Sequence, residues 1–351
     1  MTGTPITAHG RRIVSRTGGL SLILSPRALL LGAGLLFMLL ILALVALTMG
    51  RIDVPFAQVA AILAGTSNDE AASRIILGIR LPRVITACGA GAALGVSGAI
   101  FQSVSRNVLG SPDVIGFLTG AATGAIGWIV LVGASPLPVA AAAVTGGLLT
   151  AILVYLLALR DGAVASQSLV LIGIGVGSVL SALNGLLLAR GQLDNAVMAN
   201  LWLAGSLSAR NWGHALPVAL GVLLLTPLAM LCARPLRMIE LGDDMACQLG
   251  VRVGSCRLGA MAIAVVLAAL ATGAAGPIAF IALAAPQIAR NLVRDGDMPV
   301  LTAALTGAVL LMLADVLTQA LSFGATLPIG RVTGLIGGLY LAWLITRSRE
   351  L

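Results

Sequence analysis

The stretch RLPRVITACGAGAALGVSGAIFQ, from Arg80 to Gln102, predicts a thin membrane-spanning helix with two arginines at its start. No charged residue follows Arg83 within it, so the run is long enough to cross a hydrocarbon core of about 30 Å. Glycine recurs at positions 89, 91, 95 and 98. Because small residues let transmembrane helices approach closely, the pattern predicts a tightly packed helix and leaves the two arginines to be explained.

Composition extends this prediction to the whole chain of 351 residues. Hydrophobic residues make up 59% of it and charged residues 10%, whereas soluble proteins carry about 25% charged residues. We therefore predict an all-α polytopic membrane protein, with a cytoplasmic tail at 1–27 and a single transmembrane domain at 28–351. The ten predicted spans lie near 28–49, 84–104, 114–133, 137–159, 167–189, 215–232, 257–275, 277–293, 300–321 and 333–346.

Arginine placement predicts the orientation of these spans. An even number of spans puts both termini on one side, and a cytoplasmic N-terminus leaves twice as many arginines inside as outside. This bias agrees with the positive-inside rule, so both termini are expected in the cytoplasm. The net charge of +8 comes from arginines scattered at helix ends rather than from one patch, which argues against nucleic-acid binding.

Two predicted outside connections are long enough to carry structure of their own. In 50–75, VPFAQVAAILAG has the pattern of a short amphipathic helix lying on the membrane. In 190–214, Trp202 and Trp212 are expected to be interfacial anchors.

No group of residues in the sequence indicates covalent chemistry or a bound metal. The four cysteines lack the spacing of metal ligands, and the two histidines are isolated. The stretch GIGVG at 173–177 indicates helix packing rather than nucleotide binding. We therefore expect no cofactor and no metal on this chain.

Two aspartates bear on the energy source. Proton-coupled carriers keep ionisable residues inside the membrane, and Asp315 in LMLADVLTQ is the candidate here. We favour a hydrogen-bonding role between helices for it. Asp113 precedes the third predicted span, where a carboxylate typically caps free N–H groups. The energy source is therefore expected elsewhere.

The longest predicted inside connection, at 233–256, is the candidate for energy input. Within it, ELGDDMACQLGV indicates two short helices separated by glycine, with Leu241, Met245 and Leu249 at fourfold spacing. Such a segment suits a solvated connection, and it also suits a docking element for a soluble partner that supplies energy. The pattern alone leaves both interpretations open.

The eighth predicted span is short and interrupted. The stretch GPIAFIALAAPQIAR at 276–290 contains Pro286 and follows a Gly-Pro break, and broken helices in transporters line cavities or are buried in protein. The stretch 98–114 weakly echoes 276–293, because each is a Gly-led apolar run that reaches an Arg-Asn pair. We expect the two copies to run in opposite senses, as in an inverted repeat.

Seven ordered motifs resemble those of FecCD-type permeases, the membrane subunits of ABC importers for iron–siderophores, haem and cobalamin. The motifs are RLPR at 80–83, GAALGVSGAIFQSVSRNVLGSPDVIGF at 91–117, WLAGSL at 202–207, LGDDMACQLGV at 241–251, GPIAFIALAAPQIAR at 276–290, LADVLTQ at 313–319 and LPIGRVTGLIGG at 327–338. The stretches GVSGAIFQS, GSPDVIGF and GDDMAC are most similar to the ferric-enterobactin branch of that family.

The resemblance implies a type II ABC importer permease fold of ten transmembrane helices in the bacterial cytoplasmic (inner) membrane. It implies four partners: a second permease, in a heterodimer rather than a homodimer; two cytoplasmic ATPases, which hold ATP and magnesium; a substrate-binding protein outside; and a ferric siderophore of the catecholate class. Haem and cobalamin are the alternative cargoes within the family. Proton-coupled transport is the alternative of another class.

The resemblance also implies roles for particular residues. Arg80 and Arg83 are expected to receive acidic residues of the binding protein on the outer face. The ATPase-coupling residues are expected to be Leu241, Gly242, Asp243, Asp244, Ala246, Leu249 and Gly250. The expected residues of the translocation path are Gln102, Asn107, Pro286 and Gln287.

The chain departs from the family pattern at three places. An arginine often found where the ninth span ends is Gln319 here, and Arg331 is the candidate substitute in docking. Gln287 stands where the family usually has histidine, and Val108 stands where it usually has proline. The changes at Gln287 and Val108 remove no charge and leave the transport role intact, but they leave the cargo less defined.

Overall fold

The computed structural model describes residues 13–17, 20–24, 26–50, 52–113, 116–160, 163–164, 166–293, 298–321 and 327–347. The helices are α1 Pro26–Thr48, α2 Phe56–Leu63, α3 Glu70–Ile75, α4 Leu81–Ser105, α5 Phe117–Leu131, α6 Pro136–Ala158, α7 Ser166–Arg190, α8 Leu193–Leu203, α9 Trp212–Glu240, α10 Asp243–Gln248, α11 Val253–Ala275, α12 Ile281–Val293, α13 Val300–Ala320 and α14 Ile329–Arg347. Two short antiparallel hairpins accompany them: β1 Ile13–Thr17 with β2 Leu20–Leu24, and β3 Leu159–Arg160 with β4 Ala163–Val164.

Ten of these helices coincide with the ten predicted spans, so the prediction of an all-α polytopic protein is confirmed. In the described ranges, seven helical segments are long and apolar enough to cross a membrane, and α5 is a shorter apolar helix. The short hairpin β1–β2 was not predicted. Residues 1–12 and 348–351 lie outside the described part of the chain, so the predicted tail and both termini stay predictions.

A π-helical segment, Ile76–Arg80, joins α3 to α4. Pro82 explains it, because proline has no N–H and its ring crowds the carbonyl four residues back. The turn widens, and the N–H of Leu81 donates to Ile76 O, five residues back. Nearby, Leu77 O accepts a hydrogen bond of 3.0 Å from Nε1 of Trp212. The indole predicted as an interfacial anchor is thus bonded to a neighbouring helix.

Helix α4 lies at the centre of the bundle and packs against α9, α11, α12 and α13. Its glycines make this possible. A Cβ on Gly91 would overlap the backbone of Gly307, and a Cβ on Gly95 would overlap the carbonyl of Ala303, both on α13. The two helices therefore pack backbone against backbone, as the small-residue pattern predicts.

Pro286 in α12 serves the same packing on the other side of α4. It has no N–H, so the carbonyl of Ala282 four residues earlier has no helical partner. That carbonyl lies against Gly98 of α4, where a Cβ would overlap it. The break predicted at Gly276-Pro277 is confirmed between α11 and α12, whereas the predicted interruption at Pro286 is not, because α12 continues through it as a largely buried helix.

The expectation that the echoing stretches run in opposite senses is wrong. The C-terminal ends of α4 and α12 lie at the same face of the bundle, because Arg106 contacts Asp243 and Arg290 contacts Glu240 in the adjoining end of α9 and start of α10. The two helices are therefore parallel. The shared Arg-Asn pair marks a common end of the two helices and not an inversion.

Two further predictions concern helix packing. The GIGVG stretch is confirmed as a packing face, since a Cβ on Gly116 would lie 2.9 Å from Gly173 O and 3.3 Å from Gly177 N.

In the predicted outside connection 190–214, the structure shows α8 packed along α5, with Ala199 fully buried against it. Part of this connection therefore packs along the side of a bundle helix and does not lie beyond the helix ends.

The backbone contact between α4 and α13 predicts that Gly95→Ala lowers the free energy of unfolding by about 2 kcal/mol, the usual range for overpacking. Denaturant unfolding of the purified protein measures this. Gly127→Ala is the matched control, because Gly127 lies in α5 with open space around its Cα. Equal stability of the two variants would contradict the packing argument.

Candidate functional site

At one end of the bundle, Arg83 of α4 forms an ion pair with Asp315 of α13. The guanidinium Nη2 lies 2.7 Å from Oδ1 and Nε lies 3.1 Å from it, so the contact has two donors. Asp315 is fully buried, whereas the Arg83 side chain keeps 25% of its surface exposed. Gln319, one turn along α13, donates to the other carboxylate oxygen at 2.9 Å. Asp315 thus bonds between helices, as predicted.

Arg80 is turned into the protein at the C-terminal end of α1. Its Nη1 donates to Leu47 O at 2.7 Å and to Thr48 O at 3.0 Å, and its Nη2 donates to Ile52 O. The last carbonyls of a helix have no helical donors and carry partial negative charge, so a guanidinium stabilises them. Gly50 leaves room for the side chain, since a Cβ there would lie 2.6 Å from Nη2. This geometry gives Arg80 a structural role and buries the charge that was expected to dock a partner.

At the opposite end, α10 occupies part of the predicted coupling loop at 233–256, in which 233–240 belong to α9 and 253–256 to α11. Leu241, Met245 and Leu249 are exposed at 69%, 54% and 59% of their surface, while Ala246 is fully buried beneath the helix. The chain turns at Gly242 with φ of 121°, and again at Gly250 with φ of 83°. Both angles are strained for residues with a Cβ, so glycine defines the two ends of this segment.

Asp243, the first residue of α10, fixes this segment to the bundle. Its carboxylate accepts hydrogen bonds from Arg257 at 3.0 and 3.2 Å and from Arg106 at 3.1 Å. Arg257 lies in the first turn of α11, and Arg106 directly follows α4 with a left-handed φ of 51°. Asp243 therefore joins three helices at one point, whereas Asp244 beside it is exposed.

A second polar cluster lies next to Asp243. Glu240, the last residue of α9, accepts hydrogen bonds from Ser103 of α4 at 2.5 Å and from Arg290 of α12 at 3.2 Å. Arg290 also donates to Ser103 at 3.1 Å. Sequence reasoning missed this cluster, although Glu240 was in the quoted loop. Its partners are too distant in sequence for a local pattern to indicate them.

The predicted path residues gather between α4 and α12. Gln102 donates to Leu283 O at 3.0 Å, and Gln287 donates to Val108 O at 2.7 Å. Both side chains and Pro286 are buried. Asn107 accepts from the N–H of Leu109 at 2.9 Å and forms a local turn. The structure brings the four residues together. Three of them, Gln102, Pro286 and Gln287, are buried in the packing between helices.

Asp113 does not cap α5, so that prediction is wrong. The residue before α5 is Gly116, and no side chain caps the helix there. Oδ1 of Asp113 is enclosed and has no hydrogen-bond partner among the described residues. Burial raises the pKa of this carboxyl to about 7, because a low-dielectric environment disfavours the charged form.

Arg331 and Gln319 occupy different surroundings. Gln319 belongs to the Arg83–Asp315 cluster, whereas Arg331 lies in the first turn of α14 and lines a cavity with Asn200 of α8. Arg331 therefore does not replace the missing arginine in that cluster.

A family model described as the FecCD transport family matches residues 38–347. The chain belongs to the FecCD transport family. It is 46% identical over 302 residues to the ferric enterobactin transport system permease protein FepG of Escherichia coli (strain K12), which covers 86% of this chain and 91% of that protein. It is 36% identical over 323 residues to the hemin transport system permease protein HmuU of Yersinia pestis, covering 90% and 95%.

A solved structure also resembles this FecCD chain. An inward-facing conformation of a metal-chelate type ABC transporter matches it with a TM-score of 0.79 at 28% identity, over 90% of this chain and 98% of that one. The predicted fold, that of an ABC importer permease, is confirmed. The relatives are permease subunits, so this chain is a multi-pass membrane permease.

The ion pair predicts that Arg83→Gln lowers the free energy of unfolding by about 3 kcal/mol, because it leaves the buried Asp315 carboxylate without a partner. The double variant with Asp315→Asn should recover most of this loss. Denaturant unfolding of the single and double variants measures the coupling. Arg74→Gln is the control, because its pair with Glu70 is exposed and contributes little. A double variant no more stable than Arg83→Gln would show that the two groups are not coupled.

Proposed function

We propose that this chain is the permease subunit of an ATP-driven importer that carries a ferric siderophore across the bacterial cytoplasmic membrane. The exposed apolar residues at α10, which Asp243 holds to α4 and α11, are the observation that supports ATP-driven transport. The ATPase is a separate partner that holds ATP and magnesium, and this chain supplies the surface on which it docks.

The cargo is proposed from the relatives. The 46% identity to the ferric enterobactin permease supports a catecholate siderophore first. Relatives named for hemin and for cobalamin match at 36% and 33% identity, and they keep those cargoes as alternatives. The same family also includes an achromobactin permease at 36% identity, so iron chelates of several kinds are represented.

The ATPase is proposed to receive α10 in a cleft. Leu241, Met245 and Leu249 are exposed in and beside α10 and would be buried by the partner. A displacement of α10 is then conveyed through Asp243 to α4 and α11. Glu240, adjacent in the chain, conveys it to α4 and α12.

An external binding protein is proposed to dock at the other end of the bundle, near the end of α13. Arg83 keeps part of its guanidinium exposed there and is the retained docking charge. Arg80 is left out of this proposal because its charge is buried against α1. A partly exposed charge of this kind mainly speeds the association of the two proteins. Its contribution to their binding free energy is ~1 kcal/mol or less.

A second permease is proposed to cover the exposed apolar faces of α7 and α14. Val179 and Leu186 are 70% and 66% exposed, and Leu335 and Leu339 are both 68% exposed. A different permease is proposed as the partner, so the pair is a heterodimer. Both termini and α10 are proposed to lie in the cytoplasm, and the arginine distribution supports this orientation.

Proton coupling is the weaker alternative. Its candidate carrier, Asp315, is fully buried in an ion pair with Arg83 and accepts a further bond from Gln319. Both carboxylate oxygens of Asp315 are engaged by these donors in a contact that holds α4 to α13. Uptake that persists in the Arg83→Gln/Asp315→Asn double variant would exclude this alternative.

The test is uptake of a ferric tris-catecholate by the assembled importer in proteoliposomes, with the loaded binding protein outside. We expect ATP-dependent uptake, and we expect Met245→Glu to reduce it at least tenfold and to release the ATPase during purification, because a charge in a buried apolar contact is costly. Cys247→Glu is the matched control, because it adds the same charge on the opposite side of α10. This variant should keep both ATP-dependent uptake and the bound ATPase.

Two results would contradict the proposal. One is uptake by the wild-type assembly that does not depend on ATP. The other is a Met245→Glu assembly that retains both its ATPase and its uptake.

A further inference from the structure

A cavity of about 240 Å³ lies where α8, the start of α5, the α11–α12 connection and the start of α14 meet. Its lining residues are Leu118, Asn200, Leu203, Ala204, Pro277, Ala279, Gly330 and Arg331. None of them was predicted as a path residue. The cavity is distinct from the Arg83–Asp315 cluster and from the coupling clusters.

Backbone rather than side chains shapes the walls. A Cβ on Gly330 would lie 2.6 Å from Ala204 O and 2.9 Å from Pro277 O, so three segments meet with no side chain between them. Gly205 and Gly276 have φ of 68° and 78° at this junction, a region that favours glycine. The cavity is therefore a built feature of the fold, with little freedom to collapse.

The polar side chains of the lining are Arg331 and Asn200. Arg331 is exposed, and no described carboxylate lies within ion-pair distance of its guanidinium. Asn200 donates to Ala196 O at 2.9 Å, which leaves its second N–H and its oxygen free to bond elsewhere. No acidic residue lines the cavity. The net charge of the side chains that line the cavity is therefore positive.

The direction of two neighbouring helices adds to the positive charge at the cavity. Leu118 and Gly330 are the second residues of α5 and α14, so two helix N-termini border the cavity, and each carries partial positive charge. A guanidinium without a described carboxylate partner is available to pair with an anionic group of a ligand. In transporters, helix N-termini within the membrane face anionic groups of the substrate.

We propose that this cavity binds one anionic arm of the transported metal chelate, through Arg331 and Asn200, as the chelate passes the permease. The class of ligand is a deprotonated catecholate or carboxylate oxygen pair, which matches the two-donor geometry of a guanidinium. The volume is below the ~300 Å³ of sites that enclose a drug-sized ligand, so it takes an arm and not a whole chelate. This inference rests on the proposed function and adds a point of charge recognition to it.

Depth favours a chelate over an acidic side chain of the binding protein. Leu118 begins α5 midway along α6 and α7, because Phe117 lies against Gly147 and Gly116 lies against Gly177, whereas Arg331 lies in the first turn of α14. A cavity lined by both reaches into the bundle. A docking protein would contact the mouth at Arg331, but the wall at Leu118 is accessible to a small ligand.

The test uses the assembled permease–ATPase complex in nanodiscs. Ferric tris-catecholate is titrated without binding protein, and binding is followed by quenching of tryptophan fluorescence; Trp202 adjoins the lining residue Leu203. We expect Arg331→Gln to weaken binding about tenfold, as for loss of a charge-assisted pair. Arg331→Lys should recover only part of it, because an ammonium keeps the charge but lacks the paired donors, and Asn200→Asp should weaken binding at least as much as Arg331→Gln. Arg74→Gln, remote from the cavity, should have no effect.

Uptake driven by loaded binding protein is measured in parallel. The inference predicts a lower maximal rate for Arg331→Gln with an unchanged half-saturating concentration of binding protein. Chelate binding equal to wild type would overturn the inference. A raised half-saturating concentration with unchanged chelate binding would assign Arg331 to docking instead. Absence of ATP-driven uptake in wild type would overturn the proposed function, and the titration would still decide whether the cavity binds the chelate.

Discussion

The backbone contact of α4 with α12 and α13 is the constraint on which the rest of this permease depends. Gly91, Gly95 and Gly98 place carbonyl groups of the neighbouring helices where side chains would otherwise stand. Dispersion contacts are densest at such short separations, and lipid offers no hydrophobic force to replace them. Three helices are thereby held as one body through most of their length.

This rigid centre connects two polar ends. At one end Arg83 of α4 joins Asp315 of α13, and at the other Ser103 and Arg106 join Glu240 and Asp243. Each polar group is costly to bury alone, so each pairing also fixes the register of the helices that carry it. In the proposed coupling, a displacement of α10 would reach α4 directly, and the closely packed central helices would transmit it.

Much of the fold could be predicted from sequence, because apolar length and small-residue spacing are local properties. The ten spans and the packing of GIGVG follow from them, and the Gly276-Pro277 pair indicates the break between α11 and α12. The pairing of Arg83 with Asp315 could not, because it joins residues at opposite ends of the sequence. The burial of Arg80 depends on where α1 ends in space, and the parallel sense of α4 and α12 depends on which end meets the coupling loop.

The most direct test of the account is a distance measurement across the outer ends of α4 and α13. Spin labels at Ile79→Cys and Leu321→Cys, both exposed positions, are placed in a variant whose native cysteines are serine. Pulsed electron paramagnetic resonance then compares the assembled importer with and without ATP. The account predicts one unchanged distance distribution, because the two helices move as one body. A shift of several ångströms or a second population on ATP binding would contradict it.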